Sequence, residues 1–313
     1  MIEIALMIEG QNGLNWPRWQ RIAELADEAG FAGLFRSDHY TNSSPPDLDS
    51  LELWVSLTWL ASHTRHLRFG PLVSPVSFRH PTLTARMAAA VDDLSGGRLT
   101  LGLGAGWQER EHTHFGWELM DVPQRFARFE EGIQIIHQLL LSDTPVSFQG
   151  KYFQVQDAIL LPRPQRPGGP PILIGGNGER LTLPLAARYA DEWNAVYLTP
   201  EQFQQRSQKL DEYLAQSGRA PGEVRRSLMT GIEFGRTPEE VEQKAAQRTQ
   251  GKASVTDLRK RGIIVGTAEE VTQQLAELDR AGVQTVMLQW LNLDDLSGLS
   301  AFAETVLPGF VAG

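Results

Sequence analysis

The chain has 313 residues, a formal net charge of −9 and no cysteine. The lack of cysteine excludes disulfides, thiolate zinc sites and cysteine nucleophiles, and it is typical of a cytoplasmic protein. The negative charge disfavours nucleic acid and anionic membrane surfaces as partners. Residues 1–6 lack the basic start and apolar run of a signal peptide, and no segment reaches the roughly 18 apolar residues of a membrane span.

Strand and helix patterns alternate along the first hundred residues. Short apolar runs predict strands at 2–6, 32–35, 67–69 and 99–103. Apolar residues at helical spacing predict helices at 17–29, 51–62 and 82–94, with Thr82 as the N-cap of the third helix. Four strand-helix repeats within about 105 residues are the cadence of a (β/α)8 barrel.

The rest of the chain continues this cadence with interruptions. Strands are predicted at 172–174, 193–196, 226–234 and 285–289, and a hairpin at 146–155 around Gly150. Helices are predicted at 124–141, at 201–215 and at 269–281, the last full helix. A further helix follows the glycine-rich segment 175–180 and ends at residue 189. We expect an α/β fold, one TIM-barrel domain over residues 1–313, with insertions near 107–124, 144–171 and 236–262.

Three glycines, Gly102, Gly104 and Gly106, lie at the carboxyl end of the fourth predicted strand. Glycine there removes side chains and costs backbone entropy, and ligands of parallel α/β folds bind at this end of the strands. We therefore interpret the segment as a place where a ligand approaches the main chain. Relief of crowding between strands is the alternative. The spacing is not the G-x-G-x-x-G of a Rossmann site.

A second glycine-rich segment, residues 175–180 (Gly-Gly-Asn-Gly-Glu-Arg), follows a predicted strand and opens a helix. Free backbone N–H groups and the positive end of a helix suit a phosphate, and Arg180 could add a charge-assisted contact. An ordinary strand-helix turn with a surface arginine is the alternative. The segment is not a P-loop, because Gly-Lys-Ser/Thr is absent.

Asp38 and His39 stand at the end of the second predicted strand, where a barrel places its chemistry. Histidine titrates near neutrality and can donate or accept a proton. We interpret His39 as the catalytic proton donor or acceptor and Asp38 as the side chain that orients it. A structural histidine bound within its loop is the alternative.

Glu109, Glu111, His112 and His114 resemble metal ligands by residue type. However, two histidines at i and i+2 point to different faces of a helix, and no H-E-x-x-H motif occurs. We therefore expect no metal and interpret Glu111 and His112 as an acid or base lining the substrate pocket. A solvated helix start is the other interpretation.

Several motifs occur together over about the first 195 residues. They lie at 37–40 (Ser-Asp-His-Tyr), 70–75 (Gly-Pro-Leu-Val-Ser-Pro), 79–81 (Arg-His-Pro), 94–107 (Leu-Ser-Gly-Gly-Arg-Leu-Thr-Leu-Gly-Leu-Gly-Ala-Gly-Trp), 111–116, 171–178 (Pro-Ile-Leu-Ile-Gly-Gly-Asn-Gly) and 190–194 (Ala-Asp-Glu-Trp-Asn). As a set they resemble the bacterial luciferase-like monooxygenase superfamily. The closer resemblance is to its branch of oxidoreductases that use the deazaflavin coenzyme F420.

The resemblance implies a (β/α)8 barrel that binds a flavin or deazaflavin across the carboxyl ends of its strands. Gly175, Gly176, Gly178 and Arg180 would hold the cofactor phosphate. A non-prolyl cis peptide near Leu72–Val73 would press against the back of the ring. The full set of implied cofactor contacts is Leu72, Val73, Ser74, Gly104, Gly106, Trp107, Gly175, Gly176, Asn177, Gly178, Arg180 and Asn194.

The resemblance also implies that His39 lies near the reactive ring. Trp107 stands where some deazaflavin dehydrogenases have a glutamate acid, so His39, Glu111 or His112 would have to supply the proton, or the chemistry differs. The polyglutamate tail of coenzyme F420 would favour basic residues at the pocket mouth, for which Arg79 and His80 are candidates.

Three functions follow from these expectations. The first is hydride transfer between coenzyme F420 and a small organic substrate, with the protein orienting the reactants and excluding water. The second is a monooxygenase that uses reduced FMN. The third, from another class, is a flavin-binding protein without turnover. By family likeness we also expect a homodimer formed through helices early in the barrel.

Overall fold

Parallel strands buried on both faces form the centre of the structure. The computed structural model describes residues 1–310. Most barrel strands are apolar runs with little or no exposed residue, as parallel sheets covered by helices require. The strands are β1 (Glu3–Ile8), β2 (Gly33–Arg36), β3 (Arg68–Pro71), β4 (Ser74–Pro75), β5 (Leu101–Gly104), β6 (Val146–Gln149), β7 (Gln154–Ala158), β8 (Ile172–Gly175), β9 (Glu192–Val196), β10 (Arg225–Phe234), β11 (Ile264–Gly266) and β12 (Thr285–Gln289).

Helices between the strands return the chain so that the next strand can pair in parallel. They are α1 (Trp16–Ala29), α2 (Leu53–His63), α3 (Pro81–Ser95), α4 (Glu109–Phe115), α5 (Val122–Leu141), α6 (Thr182–Tyr189), α7 (Pro200–Gln216), α8 (Pro238–Thr249), α9 (Val255–Lys260), α10 (Ala268–Arg280) and α11 (Leu296–Thr305). Across residues 1–310, none of them is both long enough and apolar enough to span a bilayer.

The strands close into a barrel. Hydrogen-bonded neighbours run in the order β3, β2, β1, β12, β10, β9, β8, β5, and every pair is parallel. The ring closes between β3 and β5, because Phe69 forms a parallel bridge with Leu99. This arrangement confirms the predicted (β/α)8 barrel.

All eight predicted barrel strands and the hairpin are present, with small shifts at their ends. The predicted helices are also present, but α3 is capped by His80, whose side chain accepts from the N–H of Thr82. Thr82 as the N-cap was therefore wrong. The helix at 269–281 is not the last full one, because α11 follows β12.

The three segments expected as insertions contain α4, the β6–β7 hairpin and the α8–α9 pair. Local sequence patterns do not predict β4, β11 or the separate helix α4. Each is short, at two, three and seven residues, so periodicity offers too few positions to identify it.

Glycines permit the closure of the barrel. A Cβ on Gly70 would overlap the carbonyl oxygen of Thr100, and a Cβ on Gly102 would overlap that of Pro71. Both obstacles are backbone atoms that no side-chain rotation can move away. At Gly102 the structure therefore supports relief of crowding between strands over close approach of a ligand.

Replacement of Gly102 by alanine tests this packing. We expect Gly102→Ala to lower the free energy of unfolding by about 3 kcal/mol, because overpacking a tight core costs about 1–3 kcal/mol or more. Denaturant unfolding measures the change. Gly222→Ala is the matched control, since no atom lies within 4 Å of its added Cβ. Equal stability of the two variants would contradict the packing argument.

Candidate active site

A cavity of about 570 Å³ opens at the carboxyl ends of the barrel strands. Its volume lies within the range of about 300–1,000 Å³ that is typical of ligand pockets. Seven barrel strands contribute a lining residue within one position of their carboxyl end, and the longer β10 contributes one from its middle, Met229. The seven are Met7, Ser37, Leu72, Gly104, Gly175, Val196 and Gln289. The cavity is thus where a barrel of this kind places its chemistry.

A bulge between β3 and β4 forms one wall of the cavity. The peptide bond between Leu72 and Val73 is cis, as the resemblance implied, and both residues line the cavity. A Cβ on Gly104 would lie 2.6 Å from Val73 Cγ2, and one on Gly175 would lie 3.0 Å from Val73 Cγ1. These two glycines therefore make room for the bulge as well as lining the cavity.

His39 and Glu111 form a hydrogen-bonded pair in the cavity wall. The Nδ1 atom of His39 lies 2.8 Å from Glu111 Oε1, and the backbone N–H of Tyr40 donates to Glu111 Oε2 over 3.1 Å. The Glu111 side chain is only 1% exposed, whereas that of His39 is 17% exposed. Within residues 1–310 no side chain hydrogen-bonds the other ring nitrogen of His39, Nε2, which is left for a ligand.

This pair changes the protonation of His39. Burial disfavours the charged imidazolium, but the hydrogen bond and charge of Glu111, helped by Glu9 and Asp38, outweigh it. The pKa of His39 is therefore raised above its ordinary value of 6.5. The stabilisation from the bound proton is fully present below pH 6.5 and is lost as the pH rises through the folded-state value.

Asp38 does not orient His39. Its carboxylate accepts a hydrogen bond of 2.8 Å from the Ser74 hydroxyl and forms an ion pair with Arg79, with a second contact of 3.3 Å. Asp38 and Ser74 are both buried, and neither lines the cavity. Asp38 therefore ties the end of β2 to β4, just beyond the bulge, and Glu111 is the residue that holds His39.

The basic residues predicted at the cavity mouth are engaged elsewhere. The Arg79 side chain is 9% exposed and bridges Asp38 and Glu52, the latter over 2.6 Å. His80 caps α3 and packs edge-on against Phe153. Neither is among the residues that line the cavity.

His112 is a buried structural residue, which corrects its predicted place in the substrate pocket. Its Nε2 lies 2.8 Å from the Ser77 hydroxyl and its Nδ1 lies 2.7 Å from the Gln108 carbonyl oxygen. Its ring packs against Phe78, and it does not line the cavity. In the described part of the chain, no group of three or more histidine, aspartate or glutamate residues could hold a metal ion.

Trp107 stands at the cavity wall and is 63% exposed. Its ring meets that of His39 edge-on, with the centroids 5.6 Å apart. An exposed aromatic ring beside a cavity offers a flat apolar surface to a ligand.

The glycine-rich segment after β8 lies only partly in the cavity. Gly175 and Gly176 line it together with Thr182, the first residue of α6. Gly178 and Arg180 are exposed and are not lining residues. The inner half of the segment is therefore the part that a ligand in the cavity would meet.

The two predicted asparagines hold neighbouring strands. Asn177 accepts from the N–H of Val196 over 2.9 Å and donates to its carbonyl oxygen over 2.7 Å, so its amide is occupied by the end of β9. Asn194 lines the cavity and donates to the Ser227 hydroxyl over 2.9 Å. Asn177 thus supports the wall, and Asn194 forms part of it.

Arg125 is a cavity residue that the sequence analysis missed. Among the described residues lining the cavity it is the one arginine, and no lysine accompanies it. Its Nη1 donates to the carbonyl oxygen of Gly106 over 2.9 Å, while its buried Nε has no partner. A buried guanidinium donor without an acceptor suits an anionic group. No local pattern marks it, because it lies on a helix after an insertion.

Glu9, Tyr197 and Gln289 were also missed, and together they line one side of the cavity. Glu9 directly follows β1, Tyr197 directly follows β9, and Gln289 ends β12. The rule that barrel chemistry lies at strand ends would have identified all three.

Glutamine in place of Glu111 tests the protonation of His39. We expect Glu111→Gln to lower the pKa of His39, because burial remains while the opposing charge is lost. His39 would then lose its proton at lower pH than in the wild type, which an NMR titration of the imidazole measures. Glu109→Gln removes the same charge from an exposed position on α4 and is the control. The explanation would be wrong if both variants left the pKa of His39 unchanged.

Comparison with known proteins identifies the family to which this chain is similar. A sequence profile described as luciferase-like monooxygenase matches residues 3–285. The 4-hydroxyprotoasukamycin monooxygenase of Streptomyces nodosus subsp. asukaensis is 32% identical over 177 residues, which are 56% of this chain and 46% of that protein. The F420-dependent glucose-6-phosphate dehydrogenase of Microbacterium testaceum is 33% identical over 210 residues, which are 64% and 59%. The chain thus spans about half the length of these curated relatives.

A solved structure shares the whole fold. An F420-dependent secondary alcohol dehydrogenase in complex with an F420-acetone adduct superposes with a TM-score of 0.86 at 20% identity, covering 99% of both chains. At this identity the likeness shows the fold alone. The family profile extends from the first barrel strand to the start of the last one. The chain belongs to the luciferase-like monooxygenase family.

Proposed function

We propose that this protein is an oxidoreductase that binds coenzyme F420 and transfers a hydride between it and a small organic substrate. The observation that carries the proposal is the His39–Glu111 pair in the wall of a cavity at the strand ends. Relatives whose names give F420-dependent activities, at about 30% identity, support the choice of cofactor. The buried acid beside a histidine with a free nitrogen argues against a protein that only binds a flavin.

The cavity residues fit such a cofactor. The unpartnered Nε of Arg125 and the backbone of Gly175 and Gly176 suit its phosphate, and Thr182 adds a hydroxyl at the start of α6. The Leu72–Val73 bulge and Trp107 would contact the flat ring, with Gly104, Gly106 and Asn194 completing the wall. Gly178 and Arg180 would reach only the outer, exposed part of the group.

His39 is the residue that would move the proton of the reaction. The cofactor supplies the hydride chemistry when bound. His39 Nε2 would donate a proton to a substrate oxygen during reduction or accept one during oxidation. Glu111 keeps Nδ1 protonated and the ring fixed, and the raised pKa of His39 favours the proton-donating form at neutral pH.

A monooxygenase that uses reduced FMN is the second candidate. It is favoured by one observation, the 32% identity with a relative whose name is that of a monooxygenase. The barrel and the Leu72–Val73 bulge suit either ring, because a shared fold does not fix the chemistry of its site.

Fluorescence titrations of the purified protein with coenzyme F420 and with FMN, at fixed salt, distinguish the two candidates. We expect coenzyme F420 to bind more tightly, and tight binding of FMN alone would instead favour the monooxygenase. Arg125→Ala should weaken binding about tenfold or more, because a hydrogen bond to a charged group is worth about 1.5–3 kcal/mol. Arg128→Ala, one turn further along α5 and over the Phe153 ring, is the control. Binding of neither cofactor would contradict the proposal.

We also propose that the protein forms a homodimer through α2 and α3. Leu83, Met87, Ala90 and Leu94 recur at helical spacing along α3, and the outer leucines are 48% and 53% exposed. Val55 on the adjacent α2 is 57% exposed. Exposed apolar side chains on two adjacent helices suit a self-complementary interface.

Charges in this stripe test the dimer. We expect the double variant Leu83→Glu/Leu94→Glu to sediment as a monomer, because a two-fold axis brings like charges together. Sedimentation velocity of wild type and variant at equal concentration measures this. Leu48→Glu, at a position that is 50% exposed in the loop after β2, is the control. A monomeric wild type, or a double variant that stays dimeric, would show that α3 is not the interface.

A further inference from the structure

One side of the cavity is a hydrogen-bonded chain of polar side chains, which we name the polar wall (Glu9, Tyr197 and Gln289). The Tyr197 hydroxyl donates to Gln289 Oε1, and Gln289 Nε2 donates to Glu9 Oε1 over 2.6 Å. Gln11 Nε2 donates to the other carboxylate oxygen over 2.9 Å. The cis bulge and Arg125 belong to other parts of the cavity wall.

The order of donors and acceptors along the polar wall determines which hydrogen-bonding groups remain free for a ligand. Gln289 Oε1 receives the tyrosine hydroxyl and lies 3.4 Å from Arg248 Nη2, so its amide group must face Glu9. The hydroxyl hydrogen of Tyr197 is thereby occupied. The Glu9 carboxylate retains free lone pairs, because two oxygens can accept more than two hydrogen bonds. The polar wall therefore offers mainly acceptors to a ligand.

Amide groups, and no ion-pair partner among the described residues, hold the Glu9 carboxylate in place. Its two side-chain partners are the neutral amides of Gln11 and Gln289, and within residues 1–310 neither of them is a cation. Amide donors hold the carboxylate in place and leave its net charge facing the cavity. A ligand that brings a second negative charge to this wall would meet repulsion.

Arg248 stands behind the polar wall, and its charge is already balanced. Its Nη1 donates to Glu233 Oε1 over 2.8 Å, and both side chains are 14% exposed. Its Nη2 lies 3.4 Å from the Tyr197 hydroxyl. The closest guanidinium to the polar wall therefore belongs to a partly buried ion pair and does not offer a free positive charge.

We propose that the polar wall selects neutral, hydroxyl-bearing substrates and rejects carboxylates and phosphates. This inference rests on the proposed function and names the substrate class of the same site. Glu9 is the specificity-determining residue: it accepts a hydrogen bond from a substrate hydroxyl and repels anions. Glu233 has the supporting role, since it keeps Arg248 from attracting them.

Calorimetry with a matched pair of probes, cyclohexanol and cyclohexanecarboxylate, tests the selection by charge. The two probes share a cyclohexane ring. The first carries a neutral hydroxyl group and the second a negatively charged carboxylate. We expect the wild type to bind the alcohol at least tenfold more tightly than the carboxylate. Glu9→Gln should gain at least tenfold in affinity for the carboxylate, because it removes the repelling charge without changing the shape of the residue. Glu233→Gln should gain similarly, because it leaves Arg248 uncompensated.

Glu240→Gln is the control, since Glu240 lies on the same helix as Arg248 but pairs with Arg236 and Lys244 outside the cavity. It should bind both probes as the wild type does. A wild type that binds the carboxylate as tightly as the alcohol would overturn the proposal. Unchanged affinity for the carboxylate in Glu9→Gln would overturn it too, and unchanged affinity in Glu233→Gln would overturn the role of Glu233.

The titrations are made on the full chain, both with and without coenzyme F420. Calorimetry needs no turnover, so selection by charge is measured even if the cofactor proposal fails. Loss of F420 binding with selection intact would contradict only the proposed function. Tight F420 binding without selection would contradict only the inference about the polar wall.

Discussion

The close approach of β3 and β5 is the constraint on which the rest of the site depends. The barrel closes there through one bridge between Phe69 and Leu99, and backbone carbonyls occupy the space that side chains at Gly70 and Gly102 would fill. Beyond this contact the chain turns through the Leu72–Val73 peptide and forms β4, which pairs again with β5. The cavity wall is thus a direct result of how the ring of strands is closed.

A buried ion pair supports the bulge from behind. Asp38, at the end of β2, binds both the Ser74 hydroxyl and Arg79, and Arg79 also binds Glu52 at the start of α2. An ion pair taken out of water is stabilising only when further hydrogen bonds satisfy its polar atoms, and Tyr40 and Ser74 supply them here. Removal of Arg79 would leave Asp38 buried without an ion-pair partner beside the cavity wall, whereas removal of Asp38 would leave Arg79 paired with Glu52 alone. Asp38 therefore acts on the site through structure, while the adjacent His39 faces the cavity.

Local patterns in the sequence were sufficient for the fold and for placing His39 in the cavity wall. Apolar runs and helical spacing depend on neighbouring residues, and His39 lies three residues beyond a strand. The partner of His39 could not be identified in this way, because Glu111 lies 72 residues further on, in a helix of seven residues. Asp38 and His112 were misassigned for the same reason: their true partners, Arg79 and Ser77, are identified only by the folded chain.

The charged side chains Arg125 and Glu9 lie beside different strands of the ring, so the two sides of the cavity favour different chemical groups. Arg125 binds the carbonyl oxygen of Gly106, just beyond β5, whereas Glu9 follows β1, and β2 and β3 lie between them on the shorter way round the ring. An anionic group is therefore favoured on the β5 side and a hydrogen-bond donor on the β1 side. His39, three residues beyond the end of β2, lies between these two sides. Burial lowers its pKa, but Glu111 and, to a lesser degree, Glu9 raise it by more. The Glu9 charge that favours a neutral ligand thus also adds to the effect of Glu111 in raising the pKa of His39.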